Sequence, residues 1–224
     1  MSIRISQSIL KIVFDRPLEK CVQVKDLRGA IARLYPDEVL LHQHREDGSL
    51  TYTYPFIQYK ILKGECLVIG FQNGADVLTR LDLLSHILTF GNYSYTVIAN
   101  ELNFRYVIFE MCDKLQNYSF ITPWLALNEK NFEKYFNSSL SGSRKSLLEK
   151  ILIGNIISVS KSLGYTVPGQ IYADFSRFKE VPTSLKGIPM TGFIGSFSVN
   201  FSIPDLWGLG KSVSRGFGTV VKKL

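Results

Sequence analysis

Two of the three histidines in this 224-residue chain fall within three positions, His42 and His44, inside Leu41-His42-Gln43-His44-Arg45-Glu46. In an extended backbone residues i and i+2 point to the same side, so both imidazoles can face one substrate from a single short segment. An imidazole has an ordinary pKa of about 6.5, so near neutral pH one ring can accept a proton while the other donates one. This is the equipment for RNA transesterification. A base takes the 2′-hydroxyl proton, the oxygen attacks the adjacent phosphorus, and an acid protonates the departing 5′-oxygen. A His-x-His pair also opens many zinc and non-haem iron sites, but those need a third and a fourth ligand. Candidates for these are thin: His86 is expected on the solvated face of a helix, and Cys21, Cys66 and Cys112 fall in separate elements. An inert pair of loop residues is the third reading.

Cations and aromatics surround the pair in sequence. Arg45 adjoins it, and Lys25 and Arg28 lie on a preceding helix, on the face away from Leu27 and Ile31, with Gly29 and Ala32 beside them. Cations next to small residues let a phosphate backbone come close, although any exposed amphipathic helix carries charge. Tyr52 and Tyr54 can position a phosphate or stack a base, or can be strand aromatics on a half-buried face. A second informative segment is GLGKSVSRGFG, with Gly208, Gly210, Gly216 and Gly218. Glycines let backbone N–H groups approach an anion, and Lys211, Ser212, Ser214 and Arg215 add side-chain donors at the same place. The alternative is a tight structural turn. The order of a nucleotide-binding P-loop, GxxxxGK[ST], is not met, so ATP is not expected.

The charge balance agrees with a polyanionic partner: 26 Lys and Arg against 19 Asp and Glu give +7, with a pI near 9.2. Nucleic acid leads such a list, though many ordinary enzymes are as basic. With 46% hydrophobic and 20% charged residues and a mean hydropathy of +0.08, disordered and fibrous classes are excluded. No apolar run reaches the roughly 18 residues of a membrane span, and Met1 to Phe14 has scattered charges where a signal peptide needs an uninterrupted apolar stretch. Three widely spaced cysteines support neither a disulfide framework nor a zinc knuckle. A soluble, cytoplasmic protein is expected, with no membrane partner, no cofactor and no metal.

The elements that must position these residues follow from hydrophobic period. SILKIVF (8–14) reads as a strand, and Val24, Leu27, Ile31 and Leu34 fall at helical spacing. TYTYPFIQYKIL and ECLVIGF are β-rich runs joined by Lys63-Gly64, which suits an antiparallel hairpin. Asn73-Gly74 opens a second helix with Val77, Leu81, Leu84 and Leu88 on one stripe, and a strand-rich stretch runs from Tyr93 to Met111. The order βαββαβ is that of the ferredoxin-like unit. A strand at Tyr118 to Leu127, a polar break at Asn137 to Arg144 and a helix from about Lys145 to Leu163 come next. Leu148, Leu152, Ile156, Val159 and Leu163 form the stripe of that helix, and Gly164 closes it. Strands at Gln170 to Phe178 and Thr191 to Ile203 precede a tail with no helix pattern. The fold class is therefore α+β, with two ferredoxin-like halves in tandem, residues 1–115 and 116–224. The second is degenerate, its last helix replaced by the glycine-rich loop.

The runs LRGAIARLYP, LLHQHRED followed by YPFIQYKI, FITPWLALN and FSIPDLWGLGKSVSRGFGTV together resemble the CRISPR-associated repeat-processing endoribonucleases of the RAMP superfamily, in the branch usual in type I-B systems. The resemblance covers nearly the whole chain; the terminal glycine-rich loop marks the superfamily and the HQH segment the branch. It implies two ferredoxin-like halves that hold RNA, with the C-terminal loop contacting it. It further implies metal-independent cleavage of the repeat in precursor CRISPR RNA, leaving a 2′,3′-cyclic phosphate and a 5′-hydroxyl. The family's catalytic histidine position falls on His42 and His44, and its tyrosine on Tyr52, with Tyr54 as the neighbouring choice. CRISPR repeat RNA is the implied partner, and other CRISPR-associated effector-complex subunits are further candidates. Some superfamily members bind CRISPR RNA without cutting it, so a non-cleaving RNA-binding subunit is the competing reading; the histidine pair separates the two.

Overall fold

The computed structural model describes residues 3–42, 54–138 and 141–223, and the chain forms two compact units. One comprises Arg4–Val107 together with Ser214–Gly216; the other comprises Ile108–Val213 and Phe217–Leu224 with Met1–Ile3.

The first unit runs β1 (Ile3–Phe14), α1 (Val24–Leu34), α2 (Val39–His42), β2 (Ile57–Leu62), β3 (Glu65–Phe71), α3 (Asn73–Thr79), β4 (Ile87–Phe90) and the first part of β5 (Tyr93–Trp124). Its strands lie in the order β2-β3-β1-β5. With β4 set aside as a short hairpin on β5, this is the ferredoxin-like order. α1 forms where its spacing says it should. The Gln23 N–H donates to Asp26 Oδ2 at 2.9 Å and closes the first turn, and Leu27 and Ile31 are fully buried in one cluster with Leu10, Ile12 and Val68. Each such aliphatic side chain contributes roughly 2 kcal/mol on burial. The β2–β3 turn is Lys63-Gly64, both at positive φ, with Leu62 opposite Glu65.

The expected second helix is shorter than its stripe. α3 stops at Thr79, Leu84 is half exposed, and Leu88 lies in β4, where Leu88 and Phe90 are buried between exposed Ile87 and Thr89. The period has already changed from four to two at that point. His86, exposed as expected, therefore lies in the connection to β4, not on a helix.

The second unit contains the rest of β5, α4 (Glu129–Asn137), α5 (Ser141–Ser162), β6 (Ala173–Leu185), β7 (Ile188–Ser202), a 3-10 turn at Val213–Arg215 that its first residue begins, and β8 (Val220–Lys222). β6 pairs β7, β7 pairs β5, and β5 pairs β8, so the order β6-β7-β5-β8 repeats that of the first unit. Between β7 and β8, where a second crossover helix would stand, lies the glycine-rich segment. The fold is thus α+β with two ferredoxin-like halves. The two strand candidates of 93–111 and 118–127 are one strand, β5. Leu148, Leu152, Ile156, Val159 and Leu163 are all buried, as their spacing requires. α5 starts at Ser141, inside the polar stretch read as a break, and α4 was not expected. Its mark is Asn128, whose side chain accepts the Asn131 N–H at 2.9 Å as an N-cap. None of the described helices is long and apolar enough to cross a membrane.

Candidate active site

The site is assembled within the first unit. His42 is the last residue of α2, half-buried, and its Nε2 lies 3.1 Å from the Tyr35 carbonyl oxygen. A carbonyl only accepts, so Nε2 carries the proton and donates, which leaves Nδ1 of the neutral ring as an acceptor. Because His42 is helical, the extended geometry expected for the histidine pair does not begin at His42. His44, Arg45 and Tyr52 lie outside the described residues.

Arg28, from α1, donates to the His42 backbone carbonyl. Tyr59, from β2, donates its hydroxyl to the Leu41 carbonyl at 3.3 Å. Two elements therefore hold the end of α2 by its orphan carbonyls. Burial pulls the Arg28 guanidinium below its ordinary pKa and the charge of Arg215 adds to this, while Tyr59 opposes it. Burial also pushes the Tyr59 phenol well above its ordinary range, so it is neutral and serves as a donor. Arg215 belongs to this unit through Ser214–Gly216. Gly216 sets its approach: at φ +84°, a Cβ added there would lie 3.1 Å from Val24 Cγ2 and 3.3 Å from the Tyr59 carbonyl oxygen. A side chain would push the segment off α1 and β2.

Gly216, in contact with Val24 and Tyr59, seats the segment of Arg215 against the two elements that carry Arg28 and Tyr59, and two guanidiniums in one such region can receive an anion. Lys25, one turn before Arg28, is exposed. Tyr54 is 8% exposed and its ring lies 6.0 Å from that of Phe71, so its aromatic surface is engaged with the core. Tyr59 escaped the sequence reading as a site residue, although it sits in the same tyrosine-rich run as Tyr52 and Tyr54. Lys60, its neighbour, is fully buried, with Nζ 3.3 Å from Gln58 Oε1, and desolvation pulls its pKa down to about 7.

The rest of the glycine-rich segment belongs to the second unit. Gly208 bridges Thr219, the Leu209 N–H donates to the Gly218 carbonyl, and the Gly218 N–H donates to the Pro123 carbonyl, both at 2.9 Å. Gly218, at φ +64°, leaves no room for a side chain, since an added Cβ would sit 2.0 Å from the Leu209 oxygen. Gly210 lies beside the Trp124 indole. These glycines serve close packing of the loop on its own unit, and the exposed or half-exposed donors are Lys211, Ser212 and Arg215; Ser214 is buried.

The family description "Cas6b N-terminal domain" matches residues 4–107, and "Cas6b C-terminal domain" matches residues 110–223. The chain belongs to the Cas6b family. Among solved structures, a crystal structure of Cas6b has a TM-score of 0.89 at 37% identity, covering 99% of this chain and 100% of that one. A CRISPR RNA processing endoribonuclease Cas6b has a TM-score of 0.77 at 36% identity, over 98% of this chain and 100% of that one. An uncharacterized protein of Methanocaldococcus jannaschii is 41% identical over 128 residues, 57% of this chain and 86% of its own length. The Cas6b domain matches divide the chain near Val107–Ile108, as the two compact units do apart from Ser214–Gly216, which pack with the first unit.

Proposed function

We propose that this Cas6b protein is an endoribonuclease that processes CRISPR RNA by cutting within the repeat, using the ribose 2′-hydroxyl as nucleophile. The observation that carries the reading is that Arg28 holds the end of α2 that bears His42, while Gly216 seats the segment of Arg215 against α1 and β2 in the same unit. In that arrangement the two guanidiniums hold the scissile phosphate and spread the charge that builds on its oxygens. His42, with Nε2–H tied to the Tyr35 carbonyl, presents Nδ1 as base to the 2′-hydroxyl. The 2′-oxygen bonds to phosphorus, the bond from phosphorus to the 5′-oxygen breaks, and a second group returns a proton to that oxygen. His44 is the proposed acid, with Tyr52 as the further catalytic residue. The products are a 2′,3′-cyclic phosphate and a 5′-hydroxyl.

In this reading the N-terminal domain, residues 1–115, carries the chemistry, and the C-terminal domain, residues 116–224, grips RNA through Lys211, Ser212 and Arg215. Lys25 and Arg45 add phosphate contacts, and Tyr54 lies close to the RNA path. Other CRISPR-associated subunits are candidate partners for the product-bound protein, and a cytoplasmic location fits a substrate transcribed there. The test is incubation with the host's repeat RNA, with and without EDTA, and mapping of both ends. Cleavage at one phosphate, with a cyclic phosphate upstream and a 5′-hydroxyl downstream in both arms, is expected. Binding without cleavage would reassign the protein as an RNA-holding subunit, and loss of activity in EDTA restored by one divalent ion would bring a metal into the mechanism.

A further inference from the structure

His42 stands on a helix of four residues. A single turn does not hold itself in water, because its nucleus fixes several dihedrals for one hydrogen bond. The place of α2 therefore comes from contacts outside it. Leu41 is fully buried in the core cluster, and three polar contacts add to it: His42 Nε2–H on the Tyr35 carbonyl, Arg28 on the His42 carbonyl, and the Tyr59 hydroxyl on the Leu41 carbonyl. The first two engage groups that have work of their own in the proposed reaction, the imidazole as base and the guanidinium as phosphate holder. Tyr59 has no such second task. It is also firmly fixed: it is 1% exposed, shares the core cluster with Leu10, Leu41 and Val68, and is registered opposite Val68 in the β2–β3 pair. A hydroxyl on a strand residue packed in this way is confined to one place. Burial keeps it protonated far above neutral pH, so it remains a donor throughout the range in which an imidazole titrates. Its main chain meets the other half of the site, since the Tyr59 carbonyl oxygen lies 3.3 Å from a Cβ built on Gly216. The residue that anchors the end of α2 thus also abuts the segment bearing Arg215.

We infer that Tyr59 is a positioning residue for RNA cleavage: its hydroxyl sets the place of His42 and its main chain seats the Arg215 segment, so that base and phosphate holder keep one spacing. This rests on His42 acting as the base. Buried as it is, the hydroxyl acts through the Leu41 carbonyl, one residue from His42, and not on the reacting atoms. Without it the end of α2 can shift, the Nε2–H bond to Tyr35 loosens, and Nδ1 no longer points at one place. A displacement of an ångström at a reacting group is enough to cost about 10²-fold in rate. The effect here is smaller, because at 3.3 Å the bond is long for an O–H donor, and Leu41 and Arg28 still hold α2.

The test is Tyr59→Phe, which keeps the buried ring and removes the hydroxyl, in the full chain with the host's repeat RNA. The single-turnover rate at saturating protein should fall about tenfold, the size of one neutral hydrogen bond. Affinity for repeat RNA carrying a 2′-deoxyribose at the cut site, which cannot be cleaved, should stay within about twofold. Tyr135→Phe removes another buried hydroxyl, bonded to Glu180 at 2.8 Å in the second unit, and should leave the rate unchanged. In a His42→Ala background Tyr59→Phe should have no further effect, because a residue that acts through His42 has nothing left to place. Histidine labelled with ¹⁵N gives a readout free of cleavage: the His42 Nε2–H, identified by its loss in His42→Ala, should exchange with water about tenfold faster or more in Tyr59→Phe. A parental rate in Tyr59→Phe, an equal fall in the His42→Ala background, or an Nε2–H signal that the variant leaves untouched overturns the inference. If His42→Ala alone cuts at the parental rate, it is the reading of His42 as base that fails, and the inference falls with it.

Discussion

The two ferredoxin-like units share a strand order but differ in the crossover beyond their third strand. In the first, α3 fills the crossover with seven residues and buries Ala75, Val77 and Leu78. In the second, the segment between β7 and β8 does the same work without a helix. Trp207, Leu209 and Val213 are buried, and the Trp207 ring stacks on Phe109 at 5.3 Å and 17°. Burial of a few large side chains satisfies the sheet in either case. The difference lies in the backbone. A helix directs its polar groups at itself, whereas an irregular loop fixed by close glycine contacts can present lysine, serine and arginine outward. The second crossover is free to bind because its packing is carried by few residues.

The proposed contrast between a unit for chemistry and a loop for grip can be broken experimentally. The largest effect is expected from His42→Ala with His44→Ala: the single-turnover rate should fall by something like 10² to 10⁴ per lost proton-transfer group, with repeat RNA still bound. A double variant that cuts the same phosphate at an undiminished rate removes the pair from the mechanism. Next comes packing. Gly218→Ala meets the Leu209 oxygen at positive φ and should cost about 3 kcal/mol or more in chemical denaturation. Arg80→Ala, which removes the surface ion pair with Glu38 next to α3, should cost less than about 1 kcal/mol. If the two are equal, the loop is not the rigid counterpart of the helix.

Grip should separate from chemistry in Lys211→Ala, which leaves Arg215 in place. Affinity for repeat RNA should drop, and the dependence of log affinity on log salt should flatten by about 0.7 for each phosphate that is no longer neutralised. A collapse of rate with unchanged affinity would move the loop from binding to catalysis.

A further effect is a pH dependence of stability in the first unit. Lys60 has a folded pKa of about 7, below the 10.5 of an exposed lysine, so between those values the unfolded chain holds more protons and stability rises with pH. Below about pH 7 the desolvation cost of the charged amine is present in full. Lys60→Met should therefore raise the melting temperature more at pH 6 than at pH 10, and an equal gain at both would show that the amine is not held in a desolvated place.

Much of the architecture is legible in the sequence because single elements carry single periods. α1 and α5 bury the residues that their spacing marks, and Lys63-Gly64 announces the hairpin. α3 reads too long because Leu84 and Leu88 continue its spacing by coincidence, and only burial distinguishes Leu84, half exposed in a turn, from a core leucine. α4 escapes notice because Tyr135 is its one buried residue and its start is signalled by the Asn128 cap instead of an apolar stripe. In the site, residue types can nominate Arg28, His42 and Arg215, but what gathers them is the contact of Gly216 with Val24 and Tyr59, far apart in sequence and beyond the reach of local pattern. Tyr59 reads as an ordinary strand aromatic until its hydroxyl is seen on the Leu41 carbonyl.

The first unit is discontinuous in sequence: it takes in Ser214–Gly216, so Gly216 closes on Val24 and Tyr59 only after everything between has been synthesised. Chain entropy makes that closure a late event, since a loop of such length gains nothing until it is nearly complete. A growing chain can thus form the sheet, α1 and α2 early and hold an Arg28 with no Arg215 beside it. The phosphate site proposed for Arg28 and Arg215 would therefore be completed only near the end of folding.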